Sequence, residues 1–226
     1  MSRQIRKLKP AFMIFCEGDT EYHYFSNIKK NPNIRLSIKP INMHGGGYSG
    51  FLEKIKESEN TNYLAKFVII DLDLIFKNQN EKKKLEELIS YCKNQNKSQA
   101  IPIFLIIDNP DFEYIACLHI PSYKNSDTKV FIEKNLNFKN LSKFKSNKEI
   151  YRYLNSNSNS SNLMLDQLNT KKYLTNKYKL KIRTKDISIQ KTTVTKDNEG
   201  VKGSNINELF EILISPNSAP SCNMLV

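Results

Sequence analysis

Phe67-Val68-Ile69-Ile70-Asp71-Leu72-Asp73 is the stretch from which the fold is read. Four consecutive apolar residues leave no polar face, so a strand built from them has to be covered on both sides. They run straight into two carboxylates one residue apart. The same pattern recurs on either side. Phe12 to Cys16 is a continuous apolar run that meets Glu17-Gly18-Asp19-Thr20-Glu21, and Ile101 to Ile107 leads into Asp108-Asn109-Pro110-Asp111-Phe112-Glu113. Helical patterns lie between these runs. Thr20 is placed to cap a helix over Glu21 to Lys30 that carries Tyr24, Phe25 and Ile28 on one face, and Asn78 to Asn96 repeats Leu85, Leu88, Ile89 and Cys92 at helical spacing. Ile34 to Asn42 alternates as a half-exposed strand does, and Gly45-Gly46-Gly47 breaks the chain before a short helix starting near Ser49 or Gly50. Uniformly apolar strands separated by helices predict an α/β fold with a mainly parallel sheet flanked by helices.

Beyond residue 120 the periodicity weakens, which divides the chain into a core over 1–120 and a basic, mostly helical extension over 121–226 packed on it. Short helices are predicted over Lys129 to Asn135 and Asn147 to Asn155, and the polar tract from Asn155 to Asn162 is a loop or linker. A lysine-rich helical stretch is predicted over Leu163 to Lys179 and a strand over Ile187 to Val194. Asp197 to Gly203 reads as a turn, and a last helix is capped by Ser204 or Asn205 and ended by Pro216.

The 226 residues carry a formal net charge of +12, unevenly spread: residues 1–120 hold 17 basic and 14 acidic side chains, residues 121–226 hold 18 and 9. A polyanion is the natural partner for such an excess, because each phosphate neutralised by Lys or Arg releases counterions. Lys143, Lys145, Lys171, Lys172, Lys177 and Lys179, with Lys139 and Lys181 beside them, are the candidate contacts to a nucleic-acid backbone. These contacts position a strand without reading its sequence. No stretch reaches the roughly 18 to 20 apolar residues needed to span a bilayer. The basic start, Met1 to Pro10, is followed by too short an apolar run for a secretory signal, so a cytoplasmic protein with no membrane partner is expected. Cys16, Cys92, Cys117 and Cys222 stand far apart, with neither disulfide-framework nor zinc-site spacing.

The acids carry the chemistry. Ligands of open parallel sheets collect at the carboxyl ends of strands, and if the apolar strands are neighbours, Glu17, Asp71 and Asp73 converge there. Crowded carboxylates repel one another and resist desolvation unless a cation joins them. Oxygen ligands without nearby His or Cys select Mg²⁺ or Mn²⁺. The spacing of Asp71 and Asp73 at an extended strand end directs both to one side, and Gly18 leaves room for close approach to the backbone. Such parts suit phosphoryl transfer. His119 falls on the apolar stripe of a helix over Asp111 to Ile120, where it packs or caps, and the Gly45 to Gly47 run lacks the following Gly-Lys-Ser/Thr of a P-loop and is a turn.

Phe12-Met13-Ile14-Phe15-Cys16-Glu17-Gly18-Asp19-Thr20-Glu21, followed by Tyr24-Phe25, resembles the opening of RloB-like proteins of the Toprim superfamily. Three further segments are similar: Gly46-Gly47 before a helix, Phe67 to Asp73, and Asn109-Pro110-Asp111-Phe112-Glu113 with His119. The likeness covers residues 11 to 120, with a fainter match at Ser204 to Leu209. It implies a Toprim fold and metal-dependent cleavage of DNA or RNA in bacterial anti-phage defence, as in the related OLD-type nucleases. By that resemblance Glu17 is an acid/base or metal ligand, Asp71 and Asp73 are metal ligands, and Glu21 and Glu113 are candidates for a second metal site. A partner ATPase and self-association are further expectations. The rival readings are a non-catalytic nucleic-acid-binding or sensor subunit of a defence complex, and phosphoryl transfer to a small nucleotide.

Overall fold

A computed structural model describes residues 11–31, 34, 37–58, 63–75, 78–97, 101–170, 178–181, 186–189 and 202–214. The chain is α/β. Four strands, β1 (Ala11–Cys16), β2 (Ser37–Asn42), β3 (Ala65–Asp71) and β4 (Ile103–Asn109), are parallel, and β7 (Gly203–Ser204) adds antiparallel to β4, giving the order β2-β1-β3-β4-β7. β3 and β4 are apolar and buried nearly throughout because helices cover both faces. Phe12, Phe67 and Phe104 fill the middle of the sheet.

The helix α1 (Asp19–Ile28) crosses from β1 to β2, whereas α2 (Gly47–Glu57) and α3 (Gln79–Lys97) lead away in the other direction, to β3 and β4. Right-handed crossovers in opposite directions place α1 on one face of the sheet and α2 with α3 on the other. The direction of winding therefore reverses between β1 and β3, which opens a crevice at their carboxyl ends. Glu17 and Asp71 stand there.

The chain after β4 covers the α1 face. After α4 (Phe112–Cys117) come α5 (Thr128–Asn135), α6 (Leu141–Lys145), α7 (Ile150–Leu154) and α8 (Ser161–Thr170). Tyr24 on α1 is the hub of this layer, with its ring edge-on to Phe112, His119 and Tyr151. His119 packs as expected. Its Nε2 lies 2.9 Å from Tyr24 Oη and its Nδ1 3.1 Å from Ile115 O. Because Nδ1 faces a carbonyl it carries the proton, so Nε2 accepts from the tyrosine. Burial holds this imidazole down to about 4, and it stays neutral.

β7 and the terminal helix α9 (Ile206–Ile214) close the far edge of the sheet. Asn205 substitutes for a strand residue: its Oδ1 accepts Ile107 N–H at 2.7 Å and its Nδ2 donates to Leu105 O at 3.1 Å. Leu209, Phe210 and Leu213 are buried, as the helical pattern predicts.

Several expectations change. Of the helix predicted over Leu163 to Lys179, α8 is described as far as Thr170, and Lys179 lies instead in β5 (Tyr178–Lys181), antiparallel to β6 (Asp186–Ile189). Tyr178-Lys179-Leu180-Lys181 alternates at period two, and that local pattern prevails over the helical one. Lys171, Lys172 and Lys177, and the stretch beyond Ile189 of the predicted strand, lie outside the described residues. α2 starts earlier than predicted, at Gly47, whose positive φ of 61° glycine tolerates. α6 was unforeseen. Asn140 caps it by accepting Lys143 N–H at 3.0 Å.

Candidate active site

Each acidic motif follows a buried strand, and the sheet register sets their relative heights. Asp71 pairs with Asp108 across β3 and β4. Glu17, one residue beyond β1, turns back across the crevice so that its Oε2 accepts Asp71 N–H at 3.0 Å. Its own carbonyl accepts Gly45 N–H at 2.9 Å from the glycine turn, which holds that turn over the end of β1. Asp71 Oδ1 accepts Phe112 N–H at 3.1 Å, and Asp111 Oδ1 accepts Tyr114 N–H at 3.0 Å, so two carboxylates share the first free N–H groups of α4. Glu113 follows in the first turn of that helix. Its Oε1 accepts Thr20 Oγ1–H at 2.9 Å from α1, and its Oε2 pairs with Lys145 Nζ at 2.8 Å from α6.

Four of the five predicted acids, Glu17, Glu21, Asp71 and Glu113, thus share one electrostatic neighbourhood. Asp73 takes part through its effect on Glu17 and Asp111. It does so by a different route from the one the sequence suggested. β3 ends at Asp71 and the chain turns, with Leu72 and Asp73 N–H groups both donating to Pro110 O, at 3.0 and 3.1 Å. Strand alternation does not reach Asp73, so a turn, and not a shared strand face, sets its position.

The electrostatics follow from crowding. Burial, then repulsion from Glu113, pushes Glu21 up to about 8. Burial also raises Glu17 to about 6 despite the Asp71 N–H, with Asp73 and Glu113 adding repulsion. Asp71 is raised well above the usual carboxylate range by burial, then by Glu21 and Glu17.

Two acids were overlooked as site residues. Asp108 is fully buried; its Oδ1 accepts the Ser204 hydroxyl, and burial lifts it to about 7. Asp111 is raised to about 6 by burial and by Glu113. Both were visible as acids in the third motif, but nothing local in the sequence marks their depth. Tyr48 was also missed. Its hydroxyl donates to Asp71 O at 2.6 Å and fixes the end of β3 from the α2 side.

The lysines separate into two kinds. Lys139 and Lys143 are exposed beside and on α6. Lys145 reaches into the acid cluster instead, with a side chain 47% exposed against 5% for Glu113.

A family model described as RloB-like protein matches residues 12–208. The chain belongs to the RloB-like family. The matched span of this RloB-like protein contains all of the acids above, Lys145 and the Ser204 that touches Asp108. No curated protein and no solved structure matches the chain.

The donor set of this RloB-like protein fits a hard divalent cation in kind. It is all carboxylate and mutually repelling, with Glu21, Asp108 and Glu113 buried and Glu17, Asp71 and Asp73 partly exposed, and Asp108 Oδ2 is buried without a hydrogen-bond partner. In position the fit is incomplete: among the described residues no group of three or more His, Cys, Asp or Glu side chains forms a ready metal cage. The reason is visible in the hydrogen bonds. Oxygens of Glu17, Asp71 and Glu113 are turned toward protein donors.

Proposed function

We propose that this protein is a metal-dependent nuclease that hydrolyses phosphodiester bonds of DNA or RNA, of the Toprim type and serving anti-phage defence. The observation that carries the reading is the gathering of Glu17, Glu21, Asp71 and Glu113 where the sheet changes its direction of winding. Carboxylates so placed oppose their own ionisation, and a divalent cation removes that opposition. Glu17, Asp71, Asp73 and Glu113 would hold Mg²⁺ or Mn²⁺. Such an ion supplies Lewis-acid polarisation of a phosphoryl oxygen and makes water more acidic.

The remaining roles belong to the chain itself. Glu17, partly exposed and raised to about 6 in the metal-free site, serves either as a ligand or, when not coordinated, as the group for proton transfer near neutrality. The Asp71 N–H orients it. Tyr48, through Asp71 O, and Pro110, through the N–H groups of Leu72 and Asp73, fix the chain as it leaves Asp71, which restrains the carboxylate. The exposed Lys139 and Lys143 would hold the polynucleotide backbone, joined by Lys171, Lys172, Lys177 and Lys179 from the sequence pattern. A partner ATPase and self-association belong to the same reading.

Expression of the wild type beside Asp71→Ala tests it, with total DNA and RNA inspected for breakage and purified protein assayed with and without Mg²⁺ or Mn²⁺. Divalent-dependent breakage by the wild type and none by the variant is expected. Undiminished breakage by Asp71→Ala refutes it. The second reading, a binding or sensor subunit with an inert acidic centre, is favoured by the carboxylate oxygens already engaged by protein donors. Calorimetry separates the two, because an inert centre takes up neither ion.

A further inference from the structure

Lys145 is an unusual element of this site. Phe144, fully buried and edge-on to Phe138, anchors α6, and Glu133 Oε1 accepts Leu141 N–H at 3.3 Å, so the helix that carries Lys145 is fixed at both ends. The adjacent residue, Lys145, reaches inward from the surface and places its ammonium 2.8 Å from Oε2 of the buried Glu113. Asp71 and Asp111 attract the same ammonium. Half of the side chain remains exposed, on the helix whose Lys143 also faces solvent. One cation thus has two anionic surroundings within reach: the buried acids on one side and whatever polyanion approaches from outside on the other.

We infer that Lys145 is a resident counter-ion of the acid cluster, which exchanges Glu113 for a phosphate of the incoming polynucleotide and thereby frees Glu113 to take a divalent cation. This rests on the nuclease reading above and adds an order of events. The free protein keeps its cluster partly neutralised and binds the metal weakly. Strand binding draws the ammonium outward, restores the deficit of positive charge and raises metal affinity. Linkage makes the effect reciprocal, so metal favours the strand by the same factor. A chain built this way assembles its full charge set only around its substrate.

Mn²⁺ affinity, measured by calorimetry and electron paramagnetic resonance on the full chain, tests the exchange. Lys145→Met removes the counter-ion and keeps the apolar stem; it should bind Mn²⁺ about tenfold more tightly than the wild type, in the usual range of site-to-site coupling. Lys145→Arg, which keeps the charge, should stay close to wild type. A short single-stranded oligonucleotide with uncleavable phosphorothioate links, as DNA in one arm and RNA in the other, should tighten Mn²⁺ binding to the wild type and leave Lys145→Met unmoved. The arm that tightens identifies the strand. Unchanged or weaker Mn²⁺ binding by a folded Lys145→Met, or no effect of either strand on the wild type, overturns the exchange while leaving the nuclease reading standing. Absence of Mn²⁺ binding by all three proteins overturns both.

Discussion

Glu17 Oε2 accepts the backbone N–H of Asp71 at 3.0 Å, joining the ends of two strands 54 residues apart in sequence. The bond needs an oxygen acceptor and not a charge. Glu17→Gln keeps an acceptor and should melt near the wild-type temperature while, on the proposed nuclease reading, losing divalent-dependent cleavage by at least about 10²-fold. Glu17→Ala loses both, with an added cost of about 1 to 3 kcal/mol for the unpaired N–H. Thermal melting beside a cleavage assay reads the two effects separately, and cleavage by Glu17→Gln at the wild-type rate would remove Glu17 from the chemistry.

The crowded acids give a signed pH dependence. Glu21 at about 8, Asp108 at about 7, and Glu17 and Asp111 at about 6 all lie above their ordinary values of 4.5 or 3.8. The folded state therefore holds protons that the unfolded chain releases, and the stability this gives is complete below pH 3.8 and lost as pH rises through 6 to 8. Between pH 6.5 and 8 the melting temperature of metal-free protein should fall, and Glu21→Gln should flatten the fall. Saturating Mn²⁺ should flatten it as well. A melting temperature that rises across that interval contradicts the placement of these groups.

His119 works in the opposite sense. Its folded value of about 4 lies below the ordinary 6.5, so the stability it contributes is present above pH 6.5 and lost as pH falls toward 4. Tyr24→Phe removes the hydroxyl that Nε2 accepts and leaves a buried nitrogen unpaired, a loss of about 1 to 3 kcal/mol in chemical denaturation at pH 7. The imidazole of that variant should protonate somewhat more easily than in the wild type when followed by NMR, because a donor to its neutral form is gone, yet still well below 6.5, because burial is the main cause of its low value. A variant as stable as the wild type would show that the pair contributes nothing.

Asn205 holds the last segment by two buried bonds, to Ile107 N and Leu105 O. Asn205→Ala strips both, whereas Asn205→Asp keeps an acceptor for Ile107 N–H but buries a charge and sets a carboxylate oxygen against the Leu105 carbonyl. Urea denaturation should show losses of about 2 to 5 kcal/mol for Ala and more for Asp. Equal stability of the two variants would mean that the amide nitrogen is not the group that matters.

The buried strands were legible because continuous apolar runs allow little else, and the acids at their ends could be placed from the run boundaries alone. Thr20, predicted as a helix cap, lies inside α1 and donates to Glu113 instead, since the motif continues helically from Asp19 and Gly18 takes the cap position. Asp108 stood in plain view as an acid, but its complete burial depends on Ser204, 96 residues later. The pairing of Lys145 with Glu113 had no signal either: a lysine inside a lysine-rich segment looks like every other until packing of Phe144 fixes its direction. Short elements such as β7 rest on two residues and a borrowed side-chain amide, beneath what periodicity detects.

The sheet's fifth strand has one more consequence. Ser204 and Asn205 come late in the order of translation, so a ribosome has released every acid of the crevice well before the residues that wall in Asp108 emerge. A message truncated between these points encodes the carboxylates without that wall, and the product should be degraded before it accumulates.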